Sequence, residues 1–184
     1  MKKRTHALAL TALFIAAAVH AELAPSETTK VVMLGSGTPN AEPDRSGPSV
    51  AIVVNDRSYI VDFGPGVVRQ ASAMSPTYGG DIEALEPARL THAFLTHLHS
   101  DHTAGLPDLI LTPWVLERDR PLELFGPEGT EKMAAHVLAA YDADIKYRLY
   151  GLEPAYDQGW RVHVQTIEEG VVYEDESVKV EAFP

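Results

Sequence analysis

Apolar and polar positions along this chain change over in short runs, most of them four to eight residues long or helical in spacing. Residues 30–34 (KVVML) form an almost unbroken apolar run that ends in the turn-rich GSGTPN, the pattern of a buried strand closed by a loop. Two β-rich runs, 49–54 and 58–61, are separated by Asn55-Asp56-Arg57, a hairpin signal. The second run empties into Asp62-Phe63-Gly64-Pro65-Gly66, and the spacing beyond it predicts a helix over 67–74. Residues 76–87 read as an acidic loop, and 93–96 as a strand. Helical apolar spacing follows over 106–116, where Pro107 and Pro113 confine the turns. A short strand at 121–125 leads through Gly126-Pro127-Glu128-Gly129-Thr130 into a helix reaching about Tyr141. Strand-like alternation returns at 160–167, 171–173 and 178–183. Strands therefore come both as hairpins and as strand–helix units, which predicts a mixed α/β (α+β) domain with helices packed on a sheet. No repeat, low-complexity tract or linker divides residues 22–184.

The first 21 residues follow a different logic. MKKRTH is a basic segment, ALALTALFIAAAV is apolar, and Val19-His20-Ala21 places a small residue where a signal peptidase cuts. The apolar run is too short and too rich in Ala for a membrane span, so residues 1–21 are expected to be a signal peptide, and the protein periplasmic or secreted. A buried N-terminal helix is the plainer alternative. Without Lys2, Lys3 and Arg4 the 15 basic residues become 12 against 26 acidic ones, a formal charge of −14. Such a surface repels phosphate backbones at long range, so nucleic acid is not an expected partner. Cysteine is absent, which excludes disulfides, thiolate ligands and a cysteine nucleophile. The expected partners are a small-molecule or ester substrate and, as an option, a second copy of the chain in a homodimer. Stable membrane insertion is not expected.

The chemistry concentrates in THLHSDHTAG. His97, His99, Asp101 and His102 lie within six positions, in a chain that has eight histidines in all. Imidazole nitrogens and carboxylate oxygens must converge about 2 Å from a metal ion, and a tight loop can bring them there. On an extended loop His97 and His99 project to the same side, while Asp101 and His102 diverge from them and can serve a second ion. Two ions about 3.5–4 Å apart would hold a hydroxide between them and polarise a scissile bond. Gly105 lets the chain turn directly afterwards. A metal-free catalytic dyad is disfavoured because Ser100 has no evident orienting partner. His92, His136 and His163 read as ordinary surface or core histidines.

HLHSDH matches the HxHxDH signature of the metallo-β-lactamase superfamily. The flanking segments LGSGTP (34–39), RSGPS (45–49), VDFGPG (61–66), GLPD (105–108) and FGPEGT (125–130) resemble its ribonuclease Z-like branch in order, over most of residues 30–130. The resemblance implies an αββα sandwich with two Zn2+ ions. It implies His97 and His99 on the first ion, Asp101 and His102 on the second, and Asp101 also as proton acceptor for the attacking water. Asp62 resembles the buried aspartate that braces the metal loop, although a plain turn aspartate would look the same in sequence.

The family draws further ligands from its second half: a histidine after a strand, an aspartate bridging both ions and a late histidine. None of these has a counterpart here, and His163 lies too early. Residues 22–184 are accordingly expected to be the N-terminal part of a longer enzyme and to be inactive alone, with one sheet face left uncovered. The expected activity of the full-length enzyme is zinc-dependent hydrolysis of a phosphodiester or related ester. An arylsulfatase- or lactonase-type hydrolase is the rival within the class, since one fold hosts many chemistries. A metal-binding module without turnover is the rival outside it.

Overall fold

The computed structural model describes residues 28–152 and 155–184; the expected signal peptide lies outside them. The apolar run near the start becomes β1 (Thr29–Gly35), which pairs antiparallel with β2 (Ser49–Val54). Val54 pairs with Arg57 across a two-residue loop, so the hairpin signal delivers β3 (Arg57–Val61) beside β2. Asn55 enters the left-handed region at φ 55, a conformation its short amide side chain tolerates.

Beyond β3 the pairing turns parallel. β4 (His92–Phe94), β5 (Leu122–Gly126) and β6 (Val162–Thr166) complete one six-stranded sheet in sequential order. Parallel neighbours need crossovers, and helices supply them: α1 (Val67–Met74) before β4, α3 (Leu106–Val115) before β5, and α4 (Thr130–Ala140) with α5 (Asp142–Tyr150) before β6. These helices bury Val67, Leu106, Leu109, Ile110 and Trp114 against Ala51, Ile60, Ala93 and Leu124 of the sheet. At about 25 cal/mol per Å² of apolar surface buried, this is the main stabilising layer.

The opposite face of the sheet meets a second, two-stranded sheet made of β7 (Gly170–Glu174) and β8 (Lys179–Ala182). Tyr59, Phe94, Phe125 and Val172 form the core between the two sheets, with Phe94 and Phe125 stacked at 4.8 Å. Asp175 pins this hairpin down: its Oδ2 accepts the hydroxyls of Tyr59 at 2.6 Å and Tyr173 at 2.7 Å, and Arg57 Nη1 at 3.2 Å. The layers are thus helices, sheet and a second sheet. Val31 and Met33 at the β1 end of the inner face are exposed, at 67% and 61%.

Several boundaries differ from the sequence expectation. The strand expected at 93–96 is His92–Phe94: Leu95 N–H still reaches the Phe125 carbonyl, but Thr96 N–H turns to the side chain of Asp62 and the histidine loop begins there. The loop expected at 76–87 coils into 3-10 turns at Pro76–Tyr78, Glu83–Leu85 and Pro87–Arg89. The helix expected to reach about Tyr141 ends at Ala140 with Tyr141 as its C-cap, and a further helix that the spacing had not predicted, α5, follows with Lys146–Asp142 and Arg148–Asp144 pairs one turn apart.

Arg118 is fully buried, and among the described residues no carboxylate pairs with it. Pro113 has no N–H, so the carbonyl of Leu109 lacks its helical partner, and Arg118 Nη1 donates to that carbonyl at 3.0 Å. The same guanidinium also reaches the carbonyls of Leu90, Ile110 and Gly159, tying α3 to the segments that lead into β4 and β6.

Candidate metal centre

The cluster sits at the carboxyl ends of β3 and β4, outside the sheet edge where parallel strands deliver their loops. Phe63 N–H donates to the carbonyl of His102, and Gly105 N–H returns to the carbonyl of Phe63, so the loop after β3 clamps the histidine loop at both ends. The approach is close enough to need glycine: a Cβ on Gly64 would lie 2.4 Å from the carbonyl oxygen of Asp101. Asp62 stands at the turn of this clamp with φ 59, a left-handed conformation that a short polar side chain tolerates.

The backbone through the cluster is not extended throughout. His99 is the last extended residue, and Ser100–Thr103 form a single helical turn, α2. Asp101 and His102 therefore share a helical turn instead of continuing an extended loop. The donors meet as two pairs. His97 Nε2 and His99 Nδ1 are 3.1 Å apart, and His102 Nε2 and Asp101 Oδ2 are 3.6 Å apart. The pairs adjoin one another, with the rings of His97 and His102 separated by 4.1 Å.

Asp62 organises both pairs. Its Oδ2 is 2.7 Å from His102 Nδ1, and its Oδ1 accepts the backbone N–H of Thr96 at 2.9 Å. The Thr96 hydroxyl lies 2.9 Å from both Asp62 oxygens and 2.9 Å from His97 Nδ1. A carboxylate only accepts, so His102 carries a proton on Nδ1, and as the neutral imidazole it presents a bare Nε2 towards the carboxylate of Asp101. A lone pair facing an anionic oxygen is a poor contact in itself and a good one around a cation. The separations of 3.1 and 3.6 Å suit two ligands held about 2 Å from one ion. Among the described residues no three such donors converge on one point, so each pair is two ligands of a tetrahedral set that needs four. The donor set fits a metal in chemistry and spacing.

Of the residues singled out in the sequence, all five therefore come together: Asp62 as brace, and His97, His99, Asp101 and His102 as donors. His136 stands apart on α4, exposed, with Nδ1 on the carbonyl of Lys132. His163 is paired with Glu123 at 2.9 Å. His92 is half-buried beside Tyr59 and Tyr173, where burial lowers its pKa. Thr96 escaped the sequence reading because nothing in a threonine at a strand end shows which way its hydroxyl faces.

Residues 43–179 match the family model of the metallo-β-lactamase superfamily. The chain belongs to that superfamily. Within it, ribonuclease Z of Mycobacterium bovis is 37% identical over 123 residues, covering 65% of this chain and 41% of that protein. Ribonuclease Z of Mycobacterium sp. (strain KMS) is 34% identical over 157 residues, covering 84% and 52%. This metallo-β-lactamase-fold chain is thus ribonuclease Z-like and spans about half the length of the curated relatives it matches. The short form of human tRNase Z shares the fold, with a TM-score of 0.56 over 83% of this chain and 57% of that one at 24% identity. A long form of RNase Z from yeast does so with a TM-score of 0.55 over 80% of this chain and 19% of that one at 16% identity. Members of the superfamily usually bind metal ions.

Proposed function

We propose that the complete protein is an exported, zinc-dependent hydrolase of a phosphodiester or a related ester. The observation that carries this reading is the pairing of bare donors, His97 with His99 and Asp101 with His102, around one shared brace, Asp62. Zinc, when bound, supplies Lewis acidity and lowers the pKa of a water. The chain's own residues do the rest. His97 and His99 would hold one ion, and Asp101 and His102 the other. Asp101, side chain 11% exposed, offers its second oxygen as an acceptor for the proton of an attacking water. Gly64 and Gly105 keep the loop close enough to its clamp for these atoms not to drift.

The relatives are named ribonucleases, and the proposal takes from them the class of bond, not the substrate. A basic, apolar leader followed by a chain of formal charge −14 supports export and argues against a polyanionic partner. Among the described residues no helix is long and apolar enough to cross a membrane.

The test is hydrolysis by the complete, zinc-loaded protein of bis-p-nitrophenyl phosphate, an aryl sulfate, a lactone and a precursor transfer RNA, each with and without chelator. Chelator-sensitive turnover of the phosphodiester is expected; turnover of the sulfate or lactone instead would replace the substrate class, and turnover of none would sink the proposal. Mass spectrometry of the mature protein should find its first residue near Glu22. An intact Met1 in the cytoplasm would overturn export.

A further inference from the structure

Thr96 belongs to none of the ligand positions, yet its hydroxyl touches both the brace and a donor. The oxygen has one proton to give. Asp62, as a carboxylate, can only accept, and both its oxygens lie 2.9 Å from Thr96 Oγ1. The proton therefore points to Asp62, which leaves the hydroxyl a lone pair for His97 Nδ1 at 2.9 Å. Nδ1 must then be the protonated nitrogen of His97, and Nε2 the bare one, facing His99. His102 is held in the same tautomer by Asp62 directly.

We infer that Thr96 is a positioning residue: it passes the orientation imposed by Asp62 on to His97, so that one buried carboxylate sets the tautomer of one histidine in each donor pair. His102 receives this control in one hydrogen bond and His97 in two. The direct bond is the better shielded, since Asp62 and His102 are largely buried whereas Thr96 is exposed. The two donor pairs thus have unequal support, and the His97–His99 pair is the more easily lost. Exposure also means that replacing Thr96 removes nothing from the core. The consequence for metal rests on the proposed function, but the hydrogen-bond relay does not.

The experiment uses the chelator-treated protein with 15N-labelled histidine at pH 8. Two-bond 1H–15N correlations then read which ring nitrogen carries the proton. Wild type is expected to give Nδ1–H for both His97 and His102. Thr96→Val, close in shape but without the hydroxyl, is expected to release His97 towards Nε2–H, the form favoured by free histidine, and to leave His102 unchanged. Thr96→Ser should restore the wild-type pattern. Nε2–H at His97 in wild type overturns the relay without recourse to any variant. So does retention of Nδ1–H in Thr96→Val, or a joint change at His97 and His102, which marks general loosening. A parallel zinc titration should show an affinity loss of about 10–100-fold for Thr96→Val, the range of other hydrogen bonds that orient metal ligands. If the tautomers behave as expected and wild type binds no zinc, the proposed function fails and the relay stands.

Discussion

Asp62 Oδ2 and His102 Nδ1 lie 2.7 Å apart although 40 positions separate them in the chain. This bond joins the loop after β3 to α2 and leaves His102 Nε2 bare towards Asp101. Asp62→Asn replaces an acceptor-only group with one that also donates, so the bonds from Thr96 and His102 cannot all survive. Zinc affinity is expected to fall about 10–100-fold with little loss of helix content. Competition with a chromophoric chelator measures it, and unchanged affinity would show that the brace is not needed.

Asp101→Asn keeps the shape of the side chain but removes its charge and its capacity to take a proton in turnover. In the complete protein, zinc stoichiometry should drop and hydrolysis fall by orders of magnitude. His136→Ala, on the exposed side of α4, should change neither. Elemental analysis beside the hydrolysis rate checks both variants; wild-type zinc content and rate in Asp101→Asn would refute a role for this carboxylate.

Asp175 sets a pH dependence at the far end of the sheets. Burial pushes its carboxyl up, but hydrogen bonds from Tyr59, Ser177 N–H, Tyr173 and Val178 N–H outweigh burial and hold it well below the usual carboxylate range. A carboxyl depressed on folding stabilises above its unfolded-state pKa of about 4, and that contribution is lost as pH falls through the lower folded value. Asp175→Asn should cost about 1–3 kcal/mol at pH 7. The gap from wild type should narrow as pH drops below about 4. Urea denaturation at pH 7 and pH 3 tests it, and a gap that widens in acid would contradict the assignment.

Arg118→Met would fill the same buried space and strand the carbonyls of Leu90, Leu109, Ile110 and Gly159. A loss of about 3 kcal/mol or more is expected, because each orphaned carbonyl carries its own desolvation cost. Arg118→Lys should fall between, since an ammonium cannot reproduce the planar fork. Thermal or urea unfolding measures both; a Met variant as stable as wild type would mean that water replaces the guanidinium.

Local patterning by itself determined much of this protein. The period-two runs placed β2 and β3 and their hairpin, the helical spacing placed α1 and α3, and the ligand types in HLHSDH marked the candidate metal centre, because each of those signals is contained within a few consecutive residues. The brace at Asp62 was legible only through resemblance to the family, since an aspartate before Gly64 looks like any turn residue until His102 is folded against it. Thr96 and the Tyr59–Tyr173–Asp175 cluster were not legible at all. Their roles depend on where hydroxyls point and on partners up to 116 positions away, which is a property of packing, not of pattern. The same holds for Arg118, whose donors are called for by a carbonyl that Pro113 strands. Tertiary structure also decided that His163 and His136 stay away from the centre: residue type made them eligible, but β6 and α4 carry them elsewhere.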